Sequence, residues 1–336
     1  MSTNPISPLQ DAFYGHWLSQ AIITLHRLGI PGHLQRHAAP SLENLSEAIG
    51  ADTRSLWQLL EIAKRLDAIE QDTQGHYRLT ELGMRMLPER EDSFIPFLDN
   101  ILTGYAAWGE LAYSVQTGKP AFDRSNGVDI YGYLSQNPEQ SAFFNRFMEQ
   151  TTNTWLAEAG KHYGFSGRVI DIGGNQGTLS AMLLKQFPEL EITLFDLEHA
   201  VKQASPLLEA AGTADRCRIV AGSFFEPGDI PKDGDIYLLS RVLLNWNDDQ
   251  AAEILHNCRQ AMPTGSKLLI LEFALAENAG LDSLLGSLNL LVMFGSRLRT
   301  QAEFEHLLDR AGFGQFRWIA AATGELPLFY LEATPG

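Results

Sequence analysis

The chain has 336 residues, 45% hydrophobic and 10% aromatic, enough for two ordinary domains with a core each and unlike a disordered composition. Its 25 basic residues against 41 acidic ones leave a formal charge of −16, which repels phosphate backbones and favours cationic or neutral small ligands, so no nucleic acid partner is expected. The opening MSTNPISPLQDAFYGH lacks a basic stretch followed by an apolar run, and no later run has membrane-span length, so a cytoplasmic protein without a membrane partner is expected. The longest apolar run, LLGSLNLLVMFG, is short and interrupted, and reads as a buried helix. Cys217 and Cys258 show no CxxC or His/Cys spacing, so they read as small buried hydrophobes, with no metal site or disulfide framework.

From Leu9 to about Pro88 apolar residues recur at spacings of three and four, in DAFYGHWLSQAIITLHRLGIPGHL and again in SLENLSEAIGADTRSLWQLLEIAKRL, which predicts helices. Ser41 is placed as an N-cap, while Asn44 stands where a capping box needs glutamate or glutamine. AIEQDTQGHYRLTELGMRML reads as a hairpin turned at Gly75 and then a helix, a winged-helix-like pattern. Residues 41–90 carry six Lys/Arg against nine Asp/Glu, so the basic face that DNA reading requires is missing. Residues 92–160 continue as aromatic-rich helices from Phe94 to Trp155, most of whose aromatics read as core.

From Gly167 the pattern changes to strands alternating with helices: RVIDIGG, EITLFD, CRIVAG, DIYLLSRVL and KLLILEF. That alternation predicts a doubly wound parallel sheet, and FRWIAAATG followed by LPLFYLEA adds an antiparallel hairpin with a Gly-containing turn. The fold class is therefore α/β, with a helical domain over residues 1–160 and the sheet domain over 161–336.

In RVIDIGGNQGTLSAMLLKQF a buried strand runs into a glycine turn and a helix, so backbone amides can approach a ligand. A dinucleotide fingerprint would need glycine at Ile172, before Gly174 and Gly177, and Asp171 is unwelcome beside a pyrophosphate, so a cationic ligand suits the turn better. The second strand ends in Asp196, where a carboxylate can accept both hydroxyls of a ribose. The third ends Gly222-Ser223-Phe224, a small polar group and an aromatic face suited to an adenine ring.

This order of motifs resembles the S-adenosylmethionine-dependent small-molecule O-methyltransferases of plant and bacterial secondary metabolism, in which a helical dimerisation domain precedes a class I methyltransferase fold. The resemblance covers almost the whole chain and is most specific in VIDIGGNQGTLS, at Asp196, in DIYLLSRVLLNWNDDQAAEILHNCRQAM and in SRLRTQAEFEHLLDRAGF. DIYLLSR with the helix after it looks closest to bacterial phenazine N-methylation. The resemblance implies a cytoplasmic homodimer with S-adenosyl-L-methionine as cofactor and a small-molecule acceptor. It implies cofactor contacts at Gly173, Asp196, Ser223, Phe224, Ser240 and Arg241, although the family usually has aspartate at Ser223 and lysine at Ser240.

Where the plant enzymes carry a histidine base in a His-Asp-Trp run, this chain has Leu244-Asn245-Trp246. Of the two glutamates that hold that histidine, the first matches Glu272 and the second aligns with Leu298. The expected reaction is therefore methyl transfer to a nitrogen or acidic hydroxyl of a flat aromatic metabolite, driven by proximity. Tyr105, Trp108, Phe147, Met148, Met293 and Phe294 are the acceptor-pocket candidates, by resemblance and by their apolar surface. Glu272 has two open roles, a hydrogen bond to the acceptor or a structural one. The competing expectation is an enzyme that keeps the sulfonium as a fixed charge without transferring its methyl. A regulator using the winged helix is disfavoured by charge.

Overall fold

The computed structural model describes residues 8–37, 39–155, 159–322 and 328–336; the turn expected at Gly324 and the side chain of Trp155 fall outside what is described. The chain divides into two compact units, Met1–Ile101 and Leu102–Gly336.

In the first unit the long opening pattern forms two helices, Pro8–Arg27 and Ile30–Arg36. The second apolar stretch also divides in two. Helix Leu42–Ile49 is capped by Ser41, which accepts the Asn44 N–H at 3.3 Å, and it ends at Gly50, whose φ of 66° a side chain would resist. Asp52 then caps Thr53–Arg65 by accepting the Ser55 N–H at 2.8 Å. The apolar spacing continues across this break because Leu45 of the first helix and Leu56 and Leu60 of the second enter the same core. A hairpin follows, β1 (Ile69–Gln71) and β2 (Tyr77–Leu79), antiparallel with Gly75 in its turn. Leu25, Ile30, Leu45, Leu60 and Tyr77 share one core. Phe13, Trp17 and Leu9 on the first helix are instead at least two-thirds exposed (70%, 67% and 69%). A core inside this unit leaves that face uncovered.

The second unit holds a seven-stranded sheet. Its strands are β3 (Arg168–Ile172), β4 (Glu191–Asp196), β5 (Cys217–Ala221), β6 (Ile236–Ser240), β7 (Lys267–Phe273), β8 (Phe313–Ala322) and β9 (Leu328–Pro335), in the order β5-β4-β3-β6-β7-β9-β8. β3 to β7 run parallel, and β9 pairs antiparallel with both β7 and β8, as the closing hairpin predicts. The parallel strands are near-continuous apolar runs because helices cover both faces. Ile254 and Leu255 of helix Asp248–Ala261 pack in one core cluster, and Leu183 and Leu184 of helix Thr178–Gln186 in another. Fully burying a side chain such as Phe195 stabilises by roughly 1.5–3 kcal/mol.

The boundary read at residue 160 marks a change of local pattern. By packing, the helices from Leu102 onward belong with the sheet, since Phe122 and Ile130 share a core cluster with Val292 and Met293 of helix Leu281–Phe294. That last helix was expected to be buried. It is buried toward its C-terminal end, while Leu284 and Leu285 stay about half exposed. Cys258 is buried and Cys217 half-buried, and burial pushes both thiols up to about 12. Among the described residues no helix is long and apolar enough to cross a membrane.

Candidate active site

In a parallel sheet the carboxyl ends of the strands lie along one edge, and the loops leaving β3, β4, β5 and β6 meet there. The glycine turn after β3 begins with Gly173 at φ 74°, where a Cβ would stand 2.8 Å from Val242. A Cβ on the next residue, Gly174, would fall 2.4 Å from Leu194 and 2.6 Å from Asp171. The turn therefore presents bare backbone. Asp171 beneath it is buried, accepts the Ser180 hydroxyl at 2.6 Å, and is pushed up to about 6 by desolvation.

Asp196 at the end of β4 is held by two backbone amides, Asn175 N–H at 2.8 Å and Leu197 N–H at 2.7 Å, one on each oxygen. Burial raises its pKa, against which those two bonds act. The carboxylate keeps a second lone pair on each oxygen. After β5, the Ser223 N–H donates to Asp229 at 3.1 Å, and Asn257 donates to the Phe224 carbonyl at 2.9 Å. The rings of Phe224 and Phe225 meet Trp246 edge-on at 5.8 and 4.8 Å. At the end of β6, Arg241 (φ 54°) is buried and donates to Thr151 at 2.8 Å and to Thr152, both on helix Pro138–Trp155. Desolvation pulls its guanidinium down to about 10.

These loops enclose a cavity of about 500 Å³. Gly173, Asp196, Ser223, Phe224, Ser240 and Arg241, the six residues expected at the cofactor, all line it. Of the acceptor candidates, Met148, Met293 and Phe294 line it, whereas Tyr105, Trp108 and Phe147 are not among its walls. Trp108 donates to Asn289 at 2.9 Å in the neighbouring helical core. Residues not singled out by sequence also face the cavity, among them Tyr131, Asn145 and Asn175. Tyr131 stacks on Trp246, centroids 5.4 Å apart and planes at 15°; burial raises its pKa, so the phenol stays protonated.

Glu272 is not among the cavity walls and is wholly buried. It accepts the Leu244 N–H at 3.3 Å and the Phe273 N–H at 3.2 Å, and desolvation pushes it up to about 8. Leu298, at the other glutamate position, is buried, and its N–H donates to Ser287.

The sequence matches a model of the O-methyltransferase domain over residues 108–314 and one of the O-methyltransferase dimerisation domain over 10–89. The chain belongs to the O-methyltransferase family. It is 35% identical to phenazine O-methyltransferase PhzM of Lysobacter antibioticus, covering 98% of this chain and 96% of that protein. It is 28% identical to the phenazine-1-carboxylate N-methyltransferase of Pseudomonas aeruginosa, over 91% of each chain. Aclacinomycin 10-hydroxylase RdmB of Streptomyces purpurascens is 33% identical over 70% of this chain and 64% of that one. The structure of NcsB1, an O-methyltransferase from neocarzinostatin biosynthesis, with S-adenosylmethionine and 2-hydroxy-5-methyl naphthoic acid superposes with a TM-score of 0.83 at 28% identity, covering 95% and 96% of the two chains.

The protein is thus an S-adenosylmethionine-dependent methyltransferase with the class I fold and an N-terminal dimerisation domain. The cradle fits that cofactor: bare backbone at Gly173 and Gly174, a fixed carboxylate at Asp196, and an aromatic face at Phe224. Phe224→Ala is expected to raise the Kd for S-adenosylmethionine about 5- to 150-fold, since base stacking is worth about 1–3 kcal/mol. Calorimetric titration checks this, and a change below twofold would take Phe224 out of the adenine site.

Proposed function

We propose that the enzyme methylates a nitrogen or an acidic hydroxyl of a small, flat aromatic metabolite, with no protein base in the step. Leu244 carries this reading: a hydrocarbon stands at the position where the resemblance to the plant enzymes places a histidine base, and Glu272 behind it is bound to the Leu244 backbone. When bound, S-adenosylmethionine supplies a methyl group on a sulfonium, a good leaving group. The chain's own task is then to bind, align and exclude water. Met148, Met293, Phe294, Tyr131 and Trp246 offer a planar acceptor apolar and aromatic walls. A positioned base contributes about 10²–10⁴-fold, whereas alignment can contribute about 7–11 kcal/mol, so alignment suffices for an acceptor with an available lone pair.

Exposed Phe13 and Trp17 lie in the matched dimerisation domain, with exposed Leu9 just before it, and this face supports a homodimer with the first unit as its contact. Lys64, Arg78, Arg85 and Arg90 each face a carboxylate in that unit, which supports a role other than DNA binding. We read the helices up to residue 160 as dimerising and acceptor-lining, and residues 161–336 as the cofactor-binding part.

The test is to incubate the protein with methyl-labelled S-adenosylmethionine and a panel of hydroxylated and nitrogen-heterocyclic aromatics, then follow the label. The expected result is a labelled small molecule, with turnover rising with pH along the acceptor's own ionisation. A profile that keeps one fixed pKa across acceptors would reveal a protein base and overturn the mechanism. Absence of label despite cofactor binding would favour a second reading, in which the sulfonium acts as a fixed charge in a step without methyl transfer. Leu244 is compatible with that chemistry, and one relative is named as a hydroxylase.

A further inference from the structure

The loop that would carry a base is held with unusual care for one that carries none. Arg299 is 1% exposed and spends its guanidinium on this loop: Nη1 donates to the Leu243 carbonyl at 2.8 Å, Nη2 to the Trp246 carbonyl at 2.6 Å, and Nε to Asp248 Oδ1 at 2.9 Å. The Ser296 hydroxyl donates to the same Trp246 carbonyl at 2.9 Å. From the other side Glu272 accepts the Leu244 N–H. Both sides of this clamp are built on the end of β7, which carries Glu272 and continues into Ala274 and Leu275. Ala274 pairs with Arg299 as a β-bridge, and the Leu275 N–H donates to the Arg299 carbonyl at 2.9 Å.

Burying a guanidinium is costly unless its donors are satisfied, and here the planar fork spans two carbonyls and a carboxylate, which a lysine ammonium cannot match. The residues held between those anchors face the cavity: Asn245, and Trp246, which touches Tyr131, Phe224 and Phe225.

We infer that Arg299 is a positioning residue for methyl transfer, setting Asn245 and Trp246 as a rigid shelf for the acceptor in place of the absent base. The inference rests on the proximity-driven reading above only for its kinetic arm. With alignment as the main source of rate, a displacement of about 1 Å in the shelf costs about 10²-fold.

The test compares wild type with Arg299→Met, Arg299→Lys and Asp248→Asn, each also in a Trp246→Phe background so that the Trp246 emission is obtained by difference. Arg299→Met is expected to red-shift the Trp246 emission and make it more accessible to acrylamide. It is also expected to lower kcat about 10²-fold, with the Kd for S-adenosylmethionine within about threefold. Arg299→Lys should recover only part of this, and Asp248→Asn should show the same changes at smaller size in a chain that keeps the guanidinium. Unchanged Trp246 emission and kcat in Arg299→Met would overturn the inference. So would a loss confined to thermal stability in both Arg299→Met and Asp248→Asn. Should wild type transfer no methyl, the function reading fails, while the emission arm still decides whether Arg299 sets the shelf.

Discussion

Asp196→Ala is expected to remove measurable S-adenosylmethionine binding at ordinary micromolar concentrations. Two charge-assisted hydrogen bonds to a ribose diol, at about 1.5–3 kcal/mol each, correspond to roughly a 10²- to 10⁴-fold rise in Kd. The side chain also organises its surroundings, because its oxygens accept the N–H groups of Asn175 and Leu197. Asn175 sits at φ 52°, a conformation that its surroundings must maintain, so losing the carboxylate also loosens the glycine turn. Asp196→Asn keeps the shape and one acceptor oxygen, and should lose about ten- to a hundredfold. Isothermal titration separates the two variants. An alanine variant that binds within threefold of wild type would remove Asp196 from the cofactor site.

The second large effect lies in the first unit. Gly83→Ala would bring a Cβ to 1.7 Å from the Ala68 carbonyl oxygen, a backbone atom that has no rotamer to escape into. That carbonyl accepts the Thr80 N–H at 3.2 Å, and Thr80 Oγ1 accepts the Gly83 N–H at 2.9 Å. Relief would therefore mean pulling apart the junction between the hairpin and helix Glu81–Met84. A loss of more than about 4 kcal/mol is expected, in the class of severe overpacking. Hydrogen exchange should show protection lost over the Leu60, Ile69 and Tyr77 core, and sedimentation should show loss of the proposed dimer. A variant with wild-type exchange over that core would contradict the packing described.

The sheet and the edge where the cavity opens were legible because parallel strands leave long apolar runs, and their ends carry small or acidic residues at characteristic places. Local text alone pointed to Gly173, Asp196 and Phe224, which line that cavity. The rest of the cavity wall was less legible, since an aromatic in a helix looks the same in a core as in a cavity. Trp108 bonds to Asn289 away from the walls, while Tyr131, more than a hundred residues before Trp246, stacks on it. Arg299 was hidden for a different reason. Within SRLRTQAEFEH it reads as surface charge, and only tertiary structure puts it at 1% exposure beneath a loop fifty residues earlier. The division of 41–65 into two helices leaves no mark on the apolar period, because the break at Gly50 does not change it.

The position of β9 has a consequence for how the protein is made. It is the strand latest in sequence, yet it lies inside the sheet, between β7 and β8. As the chain emerges from the ribosome, β3 to β7 can pair in order, but β7 must wait with one edge open until the hairpin of β8 and β9 arrives. An open strand edge is a template for a neighbouring nascent chain. The loops after β3 to β6 that line the cavity leave the other strands of the sheet, so that side of the cavity can form before the sheet is closed. High expression rates should therefore threaten this enzyme first through aggregation at β7, before its ligand site is at risk.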